Sequence, residues 1–429
     1  MPQILPLRGL RYTAGAGSLS ELLAPPYDVI TPAQRQSLAA RSPHNAVHLE
    51  LAEGGEDRYA GVAALVEQWE STGILARDEA PMLYVYEQRF AEAGREYTRR
   101  AVIVGVEAQP WEEGAVKPHE FTMSGPKEDR LKLLEATKVQ FSPVFMIARD
   151  RAGQLAQFLE QMIASRGPDA EGTTPEGDVH RFWAIEAGRY EMRFLAPLLS
   201  ESFYIADGHH RYETAVNYKQ RLAERGEKLE RDHPARFALT AIVAASDPGL
   251  VIRPIHRIVP RRAPAGWEQM LEDEFDVTTL KRVGGEHMFA EEMESELKLR
   301  PRSIVALGME TGSAHILTPR EDVTPATTPA GHSREWAAIA PNVLRYGMLE
   351  PLWGITDDDL RAGVVEYTHD TAEVVARVMA EPETTGFLLS PVGIDEVMRL
   401  ADQGERMPQK STFFHPKLGT GLVFHPLTP

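Results

Sequence analysis

The stretch Phe203-Tyr204-Ile205-Ala206-Asp207-Gly208-His209-His210-Arg211-Tyr212-Glu213-Thr214-Ala215 decides how this chain is read. Phe203 to Ala206 is a short apolar run of strand length, Asp207-Gly208 is a turn dipeptide, and Tyr212, Ala215, Val216 and Leu222 recur at helical spacing. The pattern predicts a buried strand, a tight turn and a helix whose first turn carries His209, His210 and Arg211. Free N–H groups and the macrodipole make a helix N-terminus positive, so a cation there is disfavoured by roughly 0.3–1 kcal/mol. Three basic-type residues at that end make sense if an anion completes the site, and phosphate is the usual occupant. Gly208 allows close backbone approach, Arg211 supplies a forked donor, and Asp207 is available to a nucleophile or a metal. Adjacent histidines diverge by roughly 100° on a helix, so they make no zinc pair without remote ligands, and one of them faces the ligand.

Working outward, short strand-like runs alternate with helical ones. Towards the N-terminus, Pro25-Pro26-Tyr27-Asp28-Val29-Ile30 precedes a helix around Pro32 to Ala40, and another helix is expected over 57–72. Ala46 to Leu51 alternates as a strand, with His48 and Glu50 on its polar face. Glu50 is then either a general base for a small hydroxyl substrate or part of a solvated strand face, and Tyr27 and Asp28 either line the same cleft or form a rigid turn. Leu83 to Phe90 and Thr98 to Val106 read as an antiparallel hairpin, which points to a mixed sheet. After Ser142-Pro143 comes an apolar run, Val144 to Ile147, then a helix over 149–165 and a loop or boundary over 167–178.

A second cluster of functional groups lies in Pro118-His119-Glu120-Phe121-Thr122-Met123-Ser124-Gly125-Pro126-Lys127-Glu128-Asp129-Arg130, with Pro126 at a helix start. Lys127 and Arg130 share one helical face, so with His119 and Glu120 they form either a second anion-binding lip or a solvated basic helix end. Beyond the central motif, strands are expected over 236–245 and 250–258, the latter ending in His256-Arg257, which either extends an anionic pocket or, the reading favoured, is an exposed strand terminus. A helix over 266–275, strands over 303–308 and 314–317, helices near 334–346, 371–379 and 393–401, and a loop over 324–331 complete the reading. Three regions follow: an N-terminal mixed α/β region over 1–170, a core with the central turn over 171–265, and a C-terminal α/β region over 266–429. The fold class expected is α/β or α+β with a mixed sheet.

Composition narrows the function. The 63 acidic against 46 basic residues leave a net charge of −17, which disfavours nucleic acid as a partner. There are no cysteines, so disulfides, thiolate catalysis and cysteine-ligated zinc are excluded. Neither a signal peptide nor a long apolar span is read, so the expectation is a cytoplasmic protein with a small-molecule substrate and no membrane partner, the oligomeric state being left open. Walker, serine-hydrolase and kinase catalytic-loop patterns are missing, and Gly15-Ala16-Gly17 lacks a full dinucleotide fingerprint.

At Pro25 to Ile30, at Pro118-His119-Glu120 with Pro126 to Arg130, at Tyr204 to Ala215 and at Met407-Pro408-Gln409-Lys410-Ser411-Thr412, the chain resembles a large bacterial family, the domain-of-unknown-function family numbered ten-fifteen. The central motif also resembles the Asp-Gly-His-X-Arg turn of the ParB and sulfiredoxin superfamily, which includes partition proteins and free-serine kinases. Asp207, Gly208, His209 and Arg211 match that turn, with His210 at its variable position. The resemblance implies a ParB/sulfiredoxin-like core in which the turn and helix start hold donor phosphates with Mg2+ and carboxylates handle a serine hydroxyl, Glu50 being offered as one of them. Sulfiredoxin chemistry needs a cysteine where His209 stands. The expected function is phosphoryl transfer from ATP, ADP or pyrophosphate to a small hydroxylated metabolite, free L-serine foremost. In that expectation Asp207, His209 and Glu50 act in catalysis, Asp207 also as a magnesium ligand, while Gly208, His210, Arg211, His119, Glu120, Lys127 and Arg130 bind phosphate or nucleotide. A nucleotide sensor without turnover and a small-molecule phosphatase are the alternatives.

Overall fold

The computed structural model describes residues 2–55, 57–122, 124–282, 284–300, 302–320, 324–325 and 327–429. Met123 and Ala326, which fall in two of the stretches read above, lie outside the described residues. The architecture is mixed α/β, and the chain divides into two compact units, one made of Met1–Pro118, Thr122–Val251 and Pro416–Pro429, the other of His119–Phe121 and Ile252–His415.

The first unit is built on a mixed sheet whose strands are β1 (Ile4–Leu5), β2 (Met82–Glu92), β3 (Arg95–Glu107), β4 (Val116–Lys117), β5 (Val144–Ala148), β6 (Ala170–Thr173), β7 (Val179–Glu186), β8 (Phe203–Asp207) and β9 (Phe237–Ala244). Their spatial order is β4-β8-β5-β9-β3-β2-β7-β6, with β1 also paired to β3. Strands from the 1–170 and 171–265 stretches therefore share one sheet. β4 runs parallel to β8 and β5 parallel to β9, while β2 and β3 form the expected antiparallel hairpin. Ala93 and Gly94 turn that hairpin with positive φ at both positions, the geometry that matches strand twist. β9 is buried at every residue, as a strand covered on both faces must be.

Helices α1 (Pro32–Arg41), α2 (Val47–Glu50), α3 (Arg58–Ser71), α4 (Ser124–Thr137), α5 (Gln154–Ser165) and α6 (His209–Glu224) belong to this unit. Met146, Ile205 and Ile242 of the sheet pack with Phe158 of α5 and Tyr212 of α6, and a second core gathers Val47, Leu49, Val66, Trp69 and Phe424. Several local expectations are corrected. The strand expected over Ala46 to Leu51 is the helix α2: Asn45 accepts from the Val47 N–H at 2.9 Å and donates to the carbonyls of Glu21 and Leu23, so the chain is capped into a turn before the alternation can extend. The helix expected from 149 starts at Gln154, because the Asp150 carboxylate accepts from the Leu155 and Ala156 N–H groups and fixes the start there. The 167–178 stretch contains β6, which pairs with β7.

The second unit holds an antiparallel sheet of β10 (His256–Val259), β11 (Phe275–Lys281), β12 (Ile304–Leu307), β13 (Ser313–Pro319), β14 (Glu366–Thr368) and β15 (Thr385–Leu389), in the order β11-β13-β12-β15-β10-β14. Helices α7 (Glu286–Leu299), α8 (Thr371–Ala380) and α9 (Ile394–Asp402) belong to it. The helix expected over 266–275 spans only Trp267–Leu271 and gives way to β11. Pro254, which has no N–H to give a ladder, splits the strand expected over 250–258. His256 and Arg257, expected at an exposed terminus, are 1% and 5% exposed. His256 Nδ1 accepts from the Leu389 N–H, its Nε2 meets Thr371, and Arg257 donates to the carbonyl of Lys410.

No helix among the described residues is long and apolar enough to cross a membrane. Burial pushes His180 and His425 down to about 4 and His256 to about 3. In the unfolded chain each would take up a proton near pH 6.5, so the unfolded state binds more protons as the pH falls. Stability is therefore complete above pH 6.5 and is lost progressively towards pH 3–4. Urea unfolding at pH 5 should show a loss of about 2 kcal/mol per histidine relative to pH 7; coincident midpoints would rule this out.

Candidate functional site

The central motif folds as read. β8 carries an irregularity between Ile205 and Asp207, which re-aims the strand as it ends. Gly208 follows in the left-handed region at φ 90°, ψ 30°, and an added Cβ would lie 3.0 Å from the Arg211 guanidinium, so backbone and space both call for glycine. α6 begins at His209 with no side-chain cap and no acidic residue in its first turn. Its opening N–H groups thus keep their positive end, as the anion argument requires.

Two cations hold the Asp207 carboxylate. Arg211 donates through one Nη to Oδ2 and through the other to the Pro143 carbonyl, while Lys417 Nζ donates to Oδ1. Burial opposes ionisation of Asp207, but Lys417 and Arg211 outweigh it and hold the carboxyl well below the usual range. Lys417 arrives on a segment pinned by the β2-β3 hairpin: Arg99 donates to the carbonyl of Pro416, Gln88 to that of Lys417, and Tyr86 Oη accepts from the Gly419 N–H. Sequence reasoning missed Lys417. It sits 210 residues from Asp207, and nothing in its neighbourhood resembles a phosphate motif.

Glu50 is 3% exposed, which overturns its reading as a strand residue on a solvent face. Arg130 Nη1 reaches its Oε2 at 3.2 Å and its carbonyl at 2.8 Å, and Ser142 Oγ donates to Oε1 with Thr420 Oγ1 3.1 Å behind. Burial raises the proton affinity of Glu50, opposed by Arg130 and Arg211. The Arg130 guanidinium lies 4.2 Å from the centre of the Tyr27 ring, and burial pushes the Tyr27 phenol up to about 12. Arg130 also pairs with Asp129, which, against the opposing effect of burial, Arg130, Tyr59 and Arg58 pull down to about 2.

Glu50, Arg130, Ser142, Arg211 and Thr214 line one small cleft, partly open to solvent, whose remaining wall is Leu133, Leu134, Val139, Gln140 and Phe141. The structure thus joins two of the separate sequence candidates, Glu50 and Arg130, to Arg211 of the central motif. Lys127 also reaches α6, where it pairs with Glu213; that carboxylate accepts from Trp111 and Thr122 as well. Burial lowers the pKa of His210, so its imidazole is neutral at pH 7, and the positive charge expected from it comes instead from the arginines and lysines. His209 is buried at 8% exposure. His119 and Glu120 belong to the second unit, where His119 Nε2 meets Thr412 Oγ1 at 2.9 Å and Glu120 accepts from the N–H groups of Ser411 and Thr412.

Asp207 fits poorly as a resident magnesium ligand. Magnesium needs several oxygen donors in octahedral array, whereas both Asp207 oxygens are engaged by cations, and no group of three or more His, Asp or Glu among the described residues could hold a metal. What the cleft offers is a carboxylate with raised proton affinity beside two guanidinium groups.

No curated protein sequence matches this one. Among solved structures, a mutant free serine kinase in complex with ADP aligns at 14% identity and a TM-score of 0.35, covering 75% of this chain and 92% of that one. A conserved hypothetical protein from Pyrococcus furiosus aligns at 14% and 0.33, covering 75% and 95%, and the truncated SbnI from Staphylococcus aureus at 12% and 0.35, covering 76% and 87%. Over residues 4–338 the sequence matches the family described as protein of unknown function (DUF1015), and the chain belongs to that family.

Proposed function

We propose that the protein transfers a phosphoryl group from a nucleotide or pyrophosphate donor to a small hydroxylated metabolite, with free L-serine, the acceptor implied by the motif's resemblance, as the first candidate. The observation that carries this reading is the convergence of Glu50, Arg130 and Arg211 on one cleft. Phosphoryl transfer asks the protein mainly for positioning and charge neutralisation, which the two guanidinium groups and the start of α6 supply. The acceptor oxygen forms the new bond to phosphorus as the bond to the donor's leaving oxygen breaks, and the hydroxyl proton passes to Glu50. A carboxylate whose burial raises its proton affinity suits that step; Asp207, held ionised by two cations, is a weak base and serves to orient Arg211.

The test is incubation of the protein with magnesium, L-serine and, separately, ATP, ADP and pyrophosphate, with phosphoserine read by mass spectrometry beside Asp207→Ala and Glu50→Gln controls. Phosphoserine formed by the wild type and lost in both controls is the expected result. Tight donor binding without product from any hydroxylated acceptor would replace this reading with a nucleotide sensor, and release of phosphate from phosphoserine alone would reverse it to a phosphatase.

A further inference from the structure

We infer that Lys417 is a positioning residue of this site, which keeps the Arg211 guanidinium directed into the cleft by occupying one oxygen of Asp207. The inference rests on the phosphotransferase reading for what Arg211 binds, and on geometry for the rest. A lone arginine facing a carboxylate four residues away can close on it in a two-toothed pair that takes both oxygens. Here Lys417 holds Oδ1, Arg211 meets only Oδ2, and the second Nη of Arg211 turns to the carbonyl of Pro143. In that pose the guanidinium lies over Gly208 and lines the cleft with Glu50 and Arg130.

The lysine is held in place through its backbone. Gln88 donates to its own carbonyl at 3.1 Å, Arg99 to that of Pro416, and the Gly419 N–H bonds Tyr86 Oη at 3.3 Å, so three hairpin residues set the position of this segment. Three residues on, Thr420 stands 3.1 Å from Ser142, the hydroxyl that donates to Glu50. One short segment thus backs both the arginine and the carboxylate of the cleft.

The test uses the full chain with Lys417→Gln, which removes the charge, and Lys417→Arg, which keeps it; Lys417→Met repeats the first should the Gln variant fail to fold. Calorimetry reads the binding of inorganic pyrophosphate and of ATP, and carbon-13 NMR reads the Asp207 carboxyl titration without ligand. The expected result is at least tenfold weaker binding of both ligands and at least tenfold higher proton affinity of Asp207 in Lys417→Gln, with Lys417→Arg within threefold of wild type for each. Unchanged ligand affinity in a folded Lys417→Gln, or an unmoved Asp207 titration, overturns the inference. A wild type that binds neither ligand sinks the phosphotransferase reading, while the titration still decides whether Lys417 acts on Asp207.

Discussion

Glu50→Gln is expected to lower the turnover number by about 10^2–10^4, the range spanned by general acid–base catalysis, while leaving stability at neutral pH within about 1 kcal/mol of wild type. The two effects separate because burial works against the ionised side chain. Its folded pKa is raised above the unfolded value of 4.5, so the folded state binds more protons over that interval and stability falls as the pH climbs through it. A glutamine avoids that penalty. Arg130 loses one oxygen but keeps Asp129 and the Glu50 carbonyl, so the substitution strands no charge. Measuring kcat for phosphoserine formation beside urea unfolding checks both parts. The wild-type rate should also rise with pH along an acid limb lying above pH 4.5, the value for an ordinary glutamate. A folded Glu50→Gln with near-wild-type kcat would remove Glu50 from the reaction.

Arg211→Ala is expected to weaken donor binding by about 10^2-fold, as loss of a charge-assisted contact worth about 1.5–3 kcal/mol implies, without unfolding the protein. Breaking a buried ion pair ordinarily costs about 3–5 kcal/mol because a charge is left alone. Here Lys417 remains on Asp207, so the carboxylate is not abandoned. The contrast is with the double variant Arg211→Ala/Lys417→Met, in which neither cation remains and the full cost of about 3–5 kcal/mol should appear in urea unfolding. Arg211→Lys should restore stability but not donor affinity, since an ammonium cannot reproduce the planar fork that holds Asp207 and Pro143 together. If the double variant is no less stable than either single one, the two cations do not share Asp207.

The parts legible from sequence were those governed by local rules. Phe203 to Ala215 announces strand, turn and helix because apolar run, turn dipeptide and helical spacing all agree, and Gly208 occupies the left-handed position that its motif demands. The hairpin around Ala93-Gly94 was readable for the same reason. Glu50 was found as a residue but placed on the wrong element: the alternation from Val47 to Leu51 satisfies a strand pattern, and the Asn45 cap that bends it into a helix draws on carbonyls at Glu21 and Leu23, which no local window contains. Ser142, Thr420 and Lys417 carried no local signal. Each becomes part of the site only through the sheet and the segment that crosses it, and Lys127 and Arg130 could be joined to α6 only once α4 was seen to reach it.

The connectivity of the two units has a consequence for the making of the protein. The first unit takes its last piece, Pro416–Pro429, from the far side of the 252–415 stretch that forms most of the second. On the ribosome the sheet, the Asp207 turn and the Glu50 pocket therefore emerge well before the lysine that partners Asp207. Domains generally fold as they leave the exit tunnel, at about 5–20 residues per second, so the nascent first unit waits on the order of ten seconds for its counter-ion. Until residue 417 has been added, Arg211 is the one of the two cations on Asp207 that the chain already contains.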